Sequence, residues 1–486
     1  MGRGGGLRDV ELVDPAVAGA PESSSRPPAR RRLWLGIGAA GVVLALGVTQ
    51  WVVTAREDAA VARLPRLPGV VSPVDDTLEV VRRLTPGDAV TLTGQASGAL
   101  LRADDGSQSY RWFEPAGGEA GWTTQLLGPT ALPADPSQVV GVSTCEPDDD
   151  LRRVVCLVTD GAQVMDGTGR IHELPATTRE LVVLDTADGS VVSRTPIDRG
   201  TALAVLPGDV AVAGALTEDL IEITAYDTRT GREQWTHEQP WRPGGGDLDV
   251  FRANDLVAFS APDHSLTLLS SDGAVVRNGI ELDYLGDPGL GLRLGWQLDP
   301  RDGSLVVTGQ GSDGLARSTF LAADGDPDRD VTVTGQPVPV GVDDGSVPGM
   351  LLTGDNAVHA WDAQTGALRW SADVRSTTSA LVLRGRVLVT TDRGVVAIDG
   401  RSGRVLWRSD ELVGLTPSAL LTDGAHVLVA TDRTGVGAAP ALVAYDPADG
   451  AEAFRAPYPA GDVEVGALGR ALVGRDAARD ERVQLG

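Results

Sequence analysis

The feature that most constrains this chain is a turn of the form Asp-x-x-x-Gly, with a bulky aromatic four residues after the glycine, that recurs along its length. The full form occurs at Asp227, Gly231 and Trp235, at Asp362, Gly366 and Trp370, and at Asp399, Gly403 and Trp407. Asp185 and Gly189 repeat the turn without the aromatic, and Asp446 and Gly450 are followed by Phe454 in its place. Before each Asp lies a run of Val, Leu, Ile, Ala or Tyr that is too short for a helix and bounded by turn residues, as a strand is. The Asp side chain can accept backbone amides two or three residues on, and Gly can take the positive φ that closes a hairpin. Further apolar runs at 209–213, 255–259, 304–308, 349–353, 386–390 and 426–430 lie upstream of hairpins. Each repeat then holds three or four strands, the content of a propeller blade.

Gly106, Gly273 and Gly325 extend the register. Successive glycines from 106 to 450 stand 83, 42, 42, 52, 41, 37 and 47 residues apart, and spacings of about 40 match one four-stranded blade. The expectation is an all-β propeller of eight blades, with seven as the alternative, spanning residues 78–486. The long first gap contains an insertion, at 146–150 and 161–178, with a concealed degenerate blade as the alternative. Runs at 78–82 and 89–93, and at 463–468 and 470–474, lack a complete hairpin of their own. Both ends of the domain are therefore expected to share a blade and close the ring, which removes an exposed sheet edge.

The pattern Ala-x-Asp-x-x-Thr-Gly-x-x-x-Trp, nearly complete at 225–235 and 360–370, resembles the repeat of the pyrroloquinoline-quinone-like (PQQ-like) β-propeller proteins over residues 78–475. That superfamily includes quinoprotein dehydrogenases and non-catalytic membrane-associated scaffolds. The resemblance implies that Trp235, Trp370 and Trp407, with Phe454 in the equivalent place, dock between blades. Its catalytic members carry a disulfide between adjacent cysteines against the quinone, and a calcium ion. This chain has only Cys145 and Cys156, which are not adjacent, and three asparagines, Asn254, Asn278 and Asn356. The expectation is a protein that is not an enzyme and has no cofactor or metal; a PQQ-dependent dehydrogenase is the alternative.

The N-terminal region reads differently. Residues 1–32 are rich in Gly, Pro, Ser and Arg without periodicity and are expected to form a disordered cytoplasmic tail. Residues 33–53 run 21 positions without a charge, a helix length of about 30 Å that matches a bilayer's hydrocarbon core. Trp34 and Trp51 near its ends, and Arg30, Arg31 and Arg32 before it, predict a transmembrane helix with the N-terminus inside. Residues 54–77 read as a linker to an extracytoplasmic propeller. A cleaved signal peptide is the competing reading, disfavoured by the length of the apolar stretch and of the leader. In an oxidising compartment Cys145 and Cys156 are expected to form a disulfide, with 139–144 and 153–158 pairing as strands around the acidic turn at 146–150.

Charge and motifs narrow the function. The formal net charge is −25, which disfavours nucleic acid as a partner and suits solubility or cationic partners. No residue is Lys, which excludes a lysine Schiff base. The alternating carboxylates of 324–330 resemble a calcium loop, but Arg329 and Gly335 stand where Gly and Glu belong, so they read as a solvated acidic turn. His172, His237, His264, His359 and His426 show no metal-ligand spacing. The reading is a single-pass membrane scaffold whose propeller binds a protein or cell-envelope component, with a surface ligand sensor as a further alternative. Function is expected where the repeat breaks, chiefly at 107–180.

Overall fold

The computed structural model describes residues 63–486 apart from 65–66, 68, 85–97, 114–119, 133–138, 141–142, 149, 166–170, 218, 242–247, 261–264, 282–294, 311–313, 376–377, 410–411, 413–414, 434–438, 460–462, 469 and 477–480. The tail and transmembrane segment expected at 1–32 and 33–53, and the strand expected at 89–93, lie outside the described residues. Among the described residues no helix is long and apolar enough to cross a membrane.

The fold is an all-β propeller of nine blades among the described residues, each a small antiparallel sheet. Eight blades were expected, with seven as the alternative, and the count is corrected to nine. The eight glycines counted belong to eight blades, but the blade built from the two termini has no Asp-x-x-x-Gly turn and is an additional one. In this ninth blade Val463–Leu468, Ala471–Asp476 and Glu481–Leu485 are completed by Val80–Leu84 from the start of the domain. Val80 lies opposite Leu485 and Leu84 opposite Arg482 in antiparallel register. The ring is thus joined by a strand more than 390 residues distant in sequence.

Blade 7 shows why such sequences become blades. Its strands Ala380–Leu383, Arg386–Thr390 and Val395–Asp399 are almost continuously apolar, which suits a sheet covered on both faces. Leu381, Leu383, Leu388, Val395 and Ala397 pack toward blade 8 against Leu415, Val427, Val429 and Tyr445. The alternate residues Ala380, Val382, Val387, Val389, Val396 and Ile398 pack toward blade 6 against Met350, Leu352 and Val358. The period-2 side-chain alternation of a strand feeds two inter-blade layers at once. The core is accordingly a series of such layers between neighbouring blades.

Two connections depart from the repeat. Between the first two strands of blade 6, Val340–Asp343 leaves its own sheet and pairs in parallel with the first strand of blade 7, Val340 beside Ala380 and Val342 beside Leu381. The described residues of the segment 54–77, which reads as a linker, include several packed into the domain: Leu64 is 1% exposed, and Val70 and Val71 are fully buried. The compact unit begins at Val61.

Candidate functional site: the insertion on blade 2

The repeat itself is assembled by a common set of contacts. In each turn the Gly amide donates to the Asp carbonyl, at 2.8 Å for Gly189 and Asp185, 2.8 Å for Gly231 and Asp227, and 2.9 Å for Gly366 and Asp362, Gly403 and Asp399, and Gly450 and Asp446. The Asp Oδ1 accepts inner amides of the same turn, for instance Ser402 N at 2.8 Å on Asp399 and Ala448 N at 2.7 Å on Asp446. Hydrogen bonds from the Ser402 hydroxyl and amide hold the Asp399 carboxyl below the usual carboxylate range. In the same way bonds from Arg369 and Thr365 depress Asp362. The Asp side chains are therefore engaged in building turns.

The aromatics act on the next blade. Trp370 Nε1 donates to the Gly400 carbonyl at 2.9 Å, Trp407 Nε1 to Pro447 at 3.2 Å and Trp235 Nε1 to Ser271 at 2.8 Å. In each case the ring lies over the turn glycine of the following blade, so that a Cβ on Gly403, Gly450 or Gly273 would strike it. A β-bulge just after each turn, where Ala360 faces Trp370 and Trp361 faces Leu368 in blade 6 and where Ala397 faces Trp407 and Ile398 faces Val405 in blade 7, inserts one extra residue directly before each Trp and bends that strand. Phe454 packs in the layer between blades 8 and 9, edge-on to His426 at 5.3 Å.

Blade 1 corrects the reading of Gly106. That glycine closes the turn between Gly98–Arg102 and Gln108–Phe113, while the docking residue is Trp122 on the next strand, Ala120–Leu127. Trp122 Nε1 donates to the Thr186 carbonyl at 2.7 Å and its ring covers Gly189. The missed signal was Glu114-x-x-x-Gly118-x-x-x-Trp122, the repeat with Glu for Asp.

With these residues occupied by the scaffold, the insertion is the element that stands outside it. In a four-stranded blade, the first-to-second and third-to-fourth connections lie at one end, and the second-to-third and blade-to-blade connections at the other. The Asp-x-x-x-Gly turns occupy the first end. A three-stranded sheet of Val139–Val140, Ala162–Met165 and Ile171–Leu174 occupies the second. Its first strand comes from the connection between blades 1 and 2, and the other two form a hairpin between the second and third strands of blade 2.

Its base is closely fixed. Asp160 Oδ1 accepts Thr177 N at 2.7 Å and Thr178 N at 2.8 Å, and Oδ2 accepts the Thr177 hydroxyl. Burial would raise this carboxyl, but the hydroxyl and the two amides outweigh it and hold Asp160 below the usual range. Gly161 passes so near Ala176 that a Cβ would lie 2.7 Å from its methyl. The Ser143 hydroxyl donates to the Thr159 carbonyl at 3.2 Å and accepts Thr159 N at 2.8 Å, while Gln108 Nε2 donates to the same carbonyl at 2.8 Å. Thr130 N and Oγ1 donate to the carbonyls of Asp105 and Gly106. Leu132, Ala162, Val164 and Leu174 form a small apolar centre.

Below the insertion lies the disulfide between Cys145 and Cys156, whose Cα atoms are 4.0 Å apart. It joins directly opposed residues of Thr144–Pro147 and Arg153–Thr159, the first two strands of blade 2. The expected pairing of 139–144 with 153–158 is corrected: Thr144–Pro147 is the strand that pairs there, reaching into the segment expected as a turn, and Val139–Val140 pairs with the insertion instead. Beside it, Glu146 Oε2 accepts the amide of Val205 in blade 3 at 3.2 Å, and burial raises its carboxyl to about 7.

The acidic turn at 324–330 and two of the histidines meet local partners. Asp324 pairs with Arg329, Asp326 accepts Asp328 N at 3.0 Å, and Asp330 pairs with Arg277 at 2.5 Å and accepts Ala322 N at 3.0 Å. His359 meets Ser371 and Asp355, and His426 meets Asp423. Burial lowers the His237 imidazole. His264 lies outside the described residues, as does the His172 side chain. Among the described residues no group of three or more His, Cys, Asp or Glu is placed to hold a metal ion.

The family model described as outer membrane protein assembly factor BamB matches residues 107–280 and 291–480. The chain belongs to this family. No curated protein matches it. Among solved structures, BamB from Moraxella catarrhalis is similar at 15% identity, covering 84% of this chain and 99% of that chain, with a TM-score of 0.38. A eukaryotic initiation factor is similar at 11% identity, over 80% of this chain and 90% of that chain, with a TM-score of 0.43. The dihydro-heme d1 dehydrogenase NirN in complex with DHE is similar at 14% identity, over 79% of this chain and 78% of that chain, with a TM-score of 0.37. Membership in the BamB family accounts for the repeat, in which the docking aromatics and turn residues recur. The sheet of Val139–Val140, Ala162–Met165 and Ile171–Leu174 interrupts that regularity.

Proposed function

We propose that this protein is a non-catalytic scaffold, anchored by residues 33–53 in the membrane with its propeller outside the cytoplasm, that binds a protein or cell-envelope partner through the insertion on blade 2. The observation that carries this reading is the division of labour along the chain. The Asp and Trp residues of the repeat are engaged in turns and inter-blade docking, whereas the sheet of Val139–Val140, Ala162–Met165 and Ile171–Leu174 adds no strand to the ring and stands at the end opposite the turns. Family membership supports a binding role, since the family is described as an assembly factor. The disulfide supports an oxidising compartment, and the uncharged stretch at 33–53 supports the anchor.

The test uses the full-length protein in intact cells, with a photo-crosslinking residue at Thr177 in the insertion or at Thr230 in a turn. A discrete adduct from position 177 and none from 230 is expected, with the protein remaining in carbonate-washed membranes. Adducts from neither position, or turnover of an alcohol or sugar after addition of quinone and calcium, would contradict the scaffold reading.

A further inference from the structure

Residues 64–84 hold together features that the repeat does not explain. The chain first buries Leu64 and Val70 in the layer between blades 7 and 8, against Leu381, Leu415 and Leu420, beside Val342 of the parallel addition to blade 7. Gly69 passes under that addition so closely that a Cβ would lie 2.8 Å from the Gly341 carbonyl oxygen. Val70 then forms a parallel bridge with Thr422 at the end of the first strand of blade 8. Val71 N donates to the Thr422 carbonyl at 2.9 Å, and Ser72 N to the Arg470 carbonyl of blade 9 at 2.7 Å. Val71 and Leu78 enter the layer between blades 8 and 9 with Leu472, Val483 and Leu485. Glu79 N donates to the Gly486 carbonyl at 2.9 Å, and the strand Val80–Leu84 follows directly.

We propose that Leu64 and residues 69–72 are a latch that controls closure of the ring. The strand that completes blade 9 is delivered by the same short segment that is pinned across blades 7, 8 and 9. Docking of the latch holds that strand within reach of Glu481–Leu485; release leaves the strand to be recaptured from a freely moving chain, at a cost in loop-closure entropy. The latch and the closing strand form one opening unit, distinct from blades 2–6, and the propeller has a built-in site at which its ring opens. An event that draws on the chain ahead of residue 64 acts on blade 9 first.

Hydrogen exchange of the full chain tests this, comparing Val70→Asp with the unmodified protein. Loss of the latch is expected to raise exchange at Val71, Ser72, Glu79 and 481–485 together, by at least about tenfold, while the Leu256–Ser260 strand of blade 4 is unchanged. Exchange at 481–485 that stays unmoved when 71–72 is released would overturn the proposal. Uniform loss of protection in all blades would overturn it equally, by making the segment ordinary core. Should the Asp variant not accumulate as folded protein, Val70→Ala carries the same readout.

Discussion

Gly403 illustrates how much one residue carries. Its φ is 71°, and an added Cβ would meet Trp370 Cβ at 2.7 Å. Gly385, in another turn of the same blade, has φ 75° but nothing within 4 Å of the added atom. Gly385→Ala is expected to cost about 1 kcal/mol, for left-handed backbone alone. Gly403→Ala is expected to cost about 2–4 kcal/mol, because displacement of the indole is added. Denaturant titration of the two variants measures the difference, and equal losses would remove the docking role.

Glu146 makes a second residue-scale prediction. Burial raises its pKa to about 7 from 4.5, so the folded state holds a proton that the unfolded state releases. Its contribution is full below about pH 4.5 and is lost as pH rises through about 7. Glu146→Gln is expected to flatten that slope and stabilise the protein at pH 8 by roughly 2 kcal/mol. A melting temperature with the same pH dependence in both proteins would refute it.

Among the elements, blade 2 joins the insertion to the disulfide. Cys145→Ser with Cys156→Ser is expected to cost ~3 kcal/mol, as for a short closed loop. Calorimetry without reductant measures it, and an unchanged transition would show that the strand pairing alone holds this blade. Hairpins were the most legible elements in the sequence, because Asp, Gly and Trp each have one physical task at fixed spacing. Trp122 was hidden by Glu in place of Asp at position 114. The insertion was legible as a break at 161–178 but not as a sheet, since Val139–Val140 comes from a distant connection and two residues give no periodicity. Val340–Asp343 was equally opaque: its partner, Ala380–Leu383, is chosen by geometry that no local pattern encodes.

At the scale of the molecule, the ring is a set of inter-blade layers that none of the blades completes alone. The latch read as a linker because Leu64, Val70 and Val71 are spaced by prolines and glycine without strand alternation, and their burial depends on three blades far along the chain. The ninth blade escaped the repeat count for a related reason: its fourth strand lies at the opposite end of the sequence, so it carries no hairpin turn there. Removal of residues 460–486 takes away three of its strands, and loss of the single cooperative thermal transition is expected.

Closure of the ring by both ends of the domain is tested directly by cross-linking. Arg82 and Gln484 are paired across the closing sheet, and the two native cysteines are already joined to each other. With Arg82→Cys and Gln484→Cys in the full chain, mild oxidation is predicted to give near-complete intramolecular cross-linking, visible as faster migration of the denatured protein. Both thiols remaining free to alkylation in the folded protein would contradict the account.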